Sequence, residues 1–222
     1  MFDSSLRGML DAPLRHAARV LDRSWITPDR LTIAGLLLGL GSAATAAAQL
    51  WGISLALWLV SRAFDGLDGS LARVRRERAD AHAVADNGAG NGESVGHSEA
   101  GGFLDIVADF TVYGFTVFGV GIGATAGFDA PWWPFVLVLI AYYLNGGAFL
   151  AFSSIAERTN RQINDGRSLS FLGRIAEGTE TIVVHSLWLV VPFIAWQIAV
   201  VWAVFVGISA IHRMVIGYWA LR

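Results

Sequence analysis

The sequence predicts an all-α integral membrane protein, with six transmembrane helices in one domain preceded by an N-terminal cytoplasmic interfacial helix. Three observations lead there. Hydrophobic residues are 55% of the 222 and charged residues 15%, where an ordinary soluble domain carries about 25% charged; mean hydropathy is +0.53. Six runs approach the roughly twenty apolar residues that a span needs: 31–50, 53–72, 102–126, 132–152, 179–193 and 195–219. The arginines also sort to one side of that count. Spanning backbone must satisfy its own hydrogen bonds, so these runs are expected as helices, and they lack the alternation of a barrel strand.

The same composition excludes other classes. The chain is too apolar to be disordered and has no acidic or basic tail, so no nucleic-acid partner is expected. Net charge is −2 and cysteine is absent, which removes disulfides and thiol metal sites. Met1 leads into residues of mixed polarity rather than a charged segment and a short apolar core, so no cleavable signal peptide is expected.

Residues 1–30 form the expected leader. Leu6, Met9, Leu10, Leu14, Ala17, Ala18 and Leu21 recur at helical spacing among Arg7, Arg15, Arg19 and Arg23, the pattern of a helix lying on a membrane surface. Thr27, Pro28 and Asp29 then read as an N-cap, a first helical residue and an acid in the first turn. The rest, 31–222, is the transmembrane domain. Its first run is free of charge. The second continues into Arg73, Arg75, Arg76 and Arg78, and residues 79–100, rich in Gly, Asn and Ser from Asp86 onward, are expected as a flexible cytoplasmic insertion. Arg158, Arg161, Arg167 and Arg174 lie between runs four and five. Fourteen of the sixteen arginines thus fall on one side of a six-span layout and none in the outer connections near Trp51, 127–131 and Pro192. The positive-inside rule makes that side, and both termini, cytoplasmic. Trp51, Trp132 and Trp133 suit interface anchors.

The chemistry sits in the second and third runs. Asp65 and Asp68 are three apart, Asp105 and Asp109 four apart, so each pair lies on one helix face. Gly69 and Ala72 share the face of Asp65, and Gly101 stands one turn before Asp105. An aspartate at the centre of a span costs about 2.5–3.5 kcal/mol, and four would repel one another. Divalent cations remove both problems. Carboxylates without cysteine or clustered histidine suit Mg²⁺ or Mn²⁺, and four can hold two such ions for phosphoryl chemistry. Small residues let a nucleotide approach the backbone, and Arg73 reaches a phosphate. Four acids merely paired with Arg62, Arg73, Arg75 and Arg76 are the plainer alternative.

These residues, Asp65-Gly66-Leu67-Asp68-Gly69-Ser70-Leu71-Ala72-Arg73 followed by Gly101, Asp105 and Asp109, resemble the signature of the CDP-alcohol phosphotransferases. The Thr27–Thr32 stretch and the six-span count are similar to that family too. One departure stands out: residues 74–100 separate Arg73 from Gly101, a longer spacing than the family pattern has. The resemblance implies transfer of a substituted phosphoryl group from a CDP-linked donor to an alcohol, with release of CMP. It implies Asp65, Asp68, Asp105 and Asp109 as ligands of two metal ions. It places CDP against Gly69, Ala72, Arg73, Gly101 and Asp65, with Asp109 as the general base, and it implies a homodimer.

The resemblance to short bacterial members favours CDP-diacylglycerol as donor, a small polar alcohol as acceptor, a role in phospholipid synthesis and the cell (inner) membrane. Two other readings stay open at this stage. One reverses the lipid side, a soluble CDP-alcohol donating its headgroup to diacylglycerol. The other is a cation transporter or channel, against which Arg73 beside the acids speaks. For the acceptor, Arg158, Arg161, Arg174, Glu177 and Glu180 are the candidates, since arginines bind phosphate and acids bind hydroxyls. No pattern names the alcohol.

Overall fold

A threonine cap opens the first long helix. The Arg30 N–H donates to Thr27 Oγ1 at 3.3 Å, with Pro28 and Asp29 in the first turn, as the sequence leads one to expect. The computed structural model describes residues 13–20, 22–23, 25–85, 99–158 and 178–222. Among them every regular element is helical: α1 (13–20), α2 (Pro28–Ala47), α3 (Trp51–Ala85), α4 (Glu99–Phe128), α5 (Trp133–Arg158), α6 (Gly178–Val190), a 3₁₀ turn (Pro192–Ile194) and α7 (Ala195–Leu221).

Four segments are long and apolar enough to cross a membrane: Pro28–Ala47, Ala100–Phe128, Trp133–Ala156 and Pro192–Leu221. Leu37, Phe118, Phe205 and Ile208 on these helices are more than half exposed, and such apolar faces suit lipid rather than water. The other two expected runs differ. Helix α3 is 35 residues long but carries Arg62, Asp65 and Asp68 within its apolar part. Helix α6 has 13 residues and ends before Pro192, which cannot supply a backbone N–H to continue it.

Two helices extend beyond their apolar runs. Helix α3 continues past the apolar run at Ala72 to Ala85, and α4 begins at Glu99. Residues 79–85 and 99–100, expected in a flexible insertion, are therefore helical. The Arg-, Glu- and Ala-rich stretch after Ala72 is polar yet made of good helix formers, so an apolar run underestimates the helix. The leader is helical over 13–20; Leu6, Arg7, Met9, Leu10 and Leu21 lie outside the described residues.

The chain divides into two compact units, one of residues 2–45 and 52–116, the other of 46–51 and 117–222. In the first, α2 and α3 run antiparallel along a seam of small and hydroxyl side chains. Ser42 Oγ donates to the Ser54 carbonyl at 2.9 Å, and Ser54 Oγ donates back to the Ser42 carbonyl at 2.8 Å. Farther along, Ser61 Oγ donates to the Gly35 carbonyl at 2.7 Å. A Cβ on Gly39 would stand 2.6 Å from both Val112 methyls, so α4 packs against bare backbone there. Small residues and interhelical hydroxyl bonds are how helices associate in lipid, where hydrophobic driving force is absent. Helix α1 joins this unit through Ala18, buried with Ile26, Leu31, Leu71 and Val74. Arg75 donates to Asp22 Oδ1 at 3.0 Å and to the Ile26 carbonyl at 2.7 Å, which pins the α1–α2 connection to α3.

In the second unit, α5 and α7 pack along their lengths, with α6 against α7. Trp202 Nε1 donates to Tyr142 Oη at 2.7 Å, and Phe135 meets Trp188 edge-on. Gly123 is required by close approach: a Cβ there would overlap the Ala46 carbonyl oxygen and stand 2.9 Å from the Trp51 ring. Gly123→Ala is expected to cost about 1–3 kcal/mol, the usual range for overpacking. Thermal unfolding in detergent should show its midpoint several degrees below wild type.

Candidate active site

The cluster is built on α3 and α4 within the first unit. Arg62, Asp65, Asp68 and Gly69 follow one another around two turns of α3; Asp105, Asp109 and Tyr113 recur every four residues on α4. The side chains meet at Arg62. Its Nη1 donates to Asp109 Oδ1 at 2.6 Å and stands 3.7 Å from Asp65 Oδ1. The same nitrogen reaches Tyr113 Oη at 3.3 Å, while Nη2 donates to Ser61 Oγ at 3.2 Å. The guanidinium also lies over the rings of Trp58 and Tyr113, 5.2 and 5.0 Å from their centres. Its side chain is 6% exposed, against 32% for Asp65 and 33% for Asp109. One buried cation therefore holds two carboxylates whose outer edges stay accessible.

Asp68 is held separately. Thr32 Oγ1 donates to its Oδ2 at 2.6 Å, and the Gly69 N–H donates to its Oδ1 at 2.5 Å. It lies within electrostatic reach of Asp105 and Asp109. Asp105 is half-buried one turn before Asp109, as is Gly101 one turn earlier. Ala72 is buried, while Arg73 is exposed and donates to Ser70 Oγ at 3.0 Å. A Cβ on Gly69 would meet nothing nearer than Arg73 at 3.8 Å, so the glycine leaves open space beside the acids.

The acceptor candidates are less informative. Arg158 ends α5 exposed, and Glu180 is half-buried in the first turn of α6. Arg161, Arg174 and Glu177 lie outside the described residues. Also in the second unit, His185 is fully buried, and its Nδ1 donates to the Thr181 carbonyl of its own helix at 2.8 Å. Arg213 lies over Phe149, 5.4 Å from the ring centre.

The profile of the CDP-alcohol phosphatidyltransferase family matches residues 25–89. The chain is also 35% identical over 202 residues to the inner membrane protein YnjF of Escherichia coli (strain K12), covering 88% of this chain and 84% of that protein. The chain belongs to the CDP-alcohol phosphatidyltransferase family. Membership makes it a transferase of phosphatidyl-group chemistry in phospholipid synthesis. The family match takes in α2 and α3 with Thr32, Asp65, Asp68, Gly69, Ala72 and Arg73. It stops at residue 89, inside the stretch that lengthens the spacing to Gly101.

The family signature is a set of carboxylates, and its chemistry can be tested against a metal. Hard oxygen donors without thiols fit Mg²⁺ or Mn²⁺. The packing adds a qualification: among the described residues no three acids or histidines are grouped to hold an ion. Arg62 Nη1 contacts both Asp65 and Asp109, and Asp68 is turned toward Thr32. Sequence reasoning offered Arg62 as an ion-pair partner of the acids, and it does contact Asp65 and Asp109. It missed Thr32 and Tyr113 as contributors. Tyr113, four residues after Asp109 on the same helix face, was the available signal.

Proposed function

We propose that this protein transfers the phosphatidyl group of CDP-diacylglycerol to the hydroxyl of a small polar alcohol, releasing CMP. The observation that carries the reading is the meeting of Asp65 on α3 with Asp109 on α4 at Arg62, with Asp68 and Gly69 on the next turn of α3, in a chain with the family signature. The proposed setting is a cell (inner) membrane, crossed six times, with both termini and the site cytoplasmic; α3 and α6 supply the two spans beyond the four apolar segments. The fourteen one-sided arginines and the membrane relative support that topology.

In this reading Asp65, Asp68, Asp105 and Asp109 would hold the divalent metal, Mg²⁺ or Mn²⁺, as two ions. When bound, it neutralises the diphosphate and makes CMP a better leaving group. Gly69, Ala72 and Gly101 admit the CDP moiety close to the backbone, with the carboxylate of Asp65 beside it. Arg73, positioned by Ser70, pairs with a phosphate oxygen. Asp109 takes the proton of the acceptor hydroxyl as its oxygen bonds to the phosphatidyl phosphorus and the bond from that phosphorus to the CMP oxygen breaks. Arg62 keeps Asp109 oriented during that transfer. Arg158, Arg161, Arg174, Glu177 and Glu180 remain the proposed acceptor contacts.

The test is CMP release by purified protein supplied with CDP-diacylglycerol, Mg²⁺ or Mn²⁺ and a panel of alcohols. Release that depends on one alcohol supports the reading and names the acceptor. Release only from soluble CDP-alcohols with diacylglycerol reverses the lipid side, and none from either pair overturns the transferase assignment. Within the same assay, Arg73→Lys keeps the charge but loses the planar fork that grips phosphate. Its KM for the CDP donor is expected to rise about tenfold, or ~1.4 kcal/mol, with kcat little changed.

A further inference from the structure

We propose that the connection between α1 and α2 docks on the bilayer leaflet that α2 enters, with Trp25 and Val20 at the headgroup level and Arg19, Arg23 and Arg30 selecting anionic phospholipids. This contact is separate from the carboxylate cluster and does not depend on the reaction proposed above.

Part of the leader's apolar stripe is already used inside the first unit. Leu14 lies against Gly66, where an added Cβ would stand 3.4 Å from Leu14 Cδ1, and Ala18 is buried with Leu71 and Val74. The exposed side of α1 carries His16, Arg19 and Val20 instead. Among the described residues before α2, Val20 and Trp25 are the large apolar side chains left uncovered, 63% and 64% exposed. Trp25 comes three residues before Pro28, the first residue of an apolar helix long enough to span a membrane. It therefore stands where the chain meets the bilayer, the depth at which tryptophan is enriched.

The backbone under that indole is held in place. Arg30 Nη1 donates to the Trp25 carbonyl at 2.5 Å. Arg75 Nη2 donates to the carbonyls of Arg23 and Ile26 at 3.0 and 2.7 Å. The Ile26 N–H closes a turn on the Arg23 carbonyl at 3.0 Å, and the Ile26 side chain is buried. A turn fixed at three carbonyls keeps the ring turned outward, and an indole, apolar in body and polar at one edge, suits an interface better than water. The charge around it is uneven. Asp22 is paired with Arg75 and Arg78, and Glu77 with Arg15. Arg19, Arg23 and Arg30 are exposed, against Asp29 as the exposed acid nearby. Basic residues beside an interfacial aromatic draw anionic headgroups. Phosphatidylcholine answers less well, because its own ammonium balances its phosphate.

The chain has no cysteine, so Trp25→Cys can carry a single bimane label, an apolar ring in place of the indole. The labelled protein is placed in nanodiscs of phosphatidylcholine and phosphatidylglycerol in equal parts, with brominated chains on one lipid or the other. Bromine on phosphatidylglycerol is expected to quench the label about fivefold more strongly than bromine on phosphatidylcholine, the ratio that ~1 kcal/mol of headgroup attraction gives. Adding Arg19→Gln and Arg23→Gln should bring the two lipids to within about twofold. Quenching by neither lipid, equal quenching by both, or a preference that survives the arginine changes overturns the inference. Salt near ~1 M should level the two lipids in the same way, because it screens exposed charges. That measurement decides should the arginine variant fail to fold, judged by gel filtration: a preference indifferent to salt overturns the inference.

Discussion

Asp109→Asn is expected to lower the rate of CMP release by about 10²–10⁴-fold, the contribution that a positioned general base makes. The fold and the binding of CDP-diacylglycerol should survive. The expectation follows from what the amide keeps and loses. Its Oδ1 can still accept from Arg62 Nη1, the 2.6 Å contact of the wild type, so the buried guanidinium retains a partner and the α3–α4 pairing persists. The amide cannot take the proton of an attacking hydroxyl. The effect should therefore fall on kcat, with the dissociation constant of the CDP donor, measured by titration, within severalfold of wild type. Turnover near wild type would remove Asp109 as the base. Loss of donor binding together with turnover would instead make its role one of holding the site.

Much of this was legible in the sequence, though unevenly. Apolar runs located the helices, because burial in lipid imposes length and hydropathy directly. They misjudged ends where the helix leaves that environment: α3 continues through Arg73–Arg78 to Ala85, where propensity rather than hydropathy carries it. The spacing of Asp65, Asp68, Asp105 and Asp109 gave the reactive faces, since a period of 3.6 residues fixes which positions share a side. It could not give the pairing across helices. Thr32 binds Asp68 over a separation of 36 residues, and Arg62 reaches Asp109 over 47. Both follow from how closely α2, α3 and α4 approach, and Gly39 leaves room for that approach against Val112. The lone charges in apolar runs were the best pointer available, because an intramembrane arginine needs a partner close by.

That need yields the largest expected effect on stability. The double variant Asp65→Asn/Asp109→Asn takes both carboxyl partners from Arg62, whose side chain is 6% exposed. Removing the partner of a buried ion typically costs 3–5 kcal/mol, roughly, because the remaining charge is neither solvated nor neutralised. Two amides offer hydrogen bonds but no charge, so the double variant should unfold at markedly lower temperature than either single variant. Adding Arg62→Met removes the stranded charge and puts an adaptable apolar side chain against Trp58 and Tyr113. The triple variant should regain most of the lost stability while remaining inactive. Thermal melts of the singles, the double and the triple in one detergent would measure this. A double variant no less stable than the sum of its singles, with no gain on adding Arg62→Met, would show that the ring faces and Ser61 hold the guanidinium without the acids. The pair would then serve chemistry alone. Recovery in the triple variant would mean that the same two carboxylates balance a structural charge and carry the reaction, which ties the position of Arg62 to the catalytic geometry.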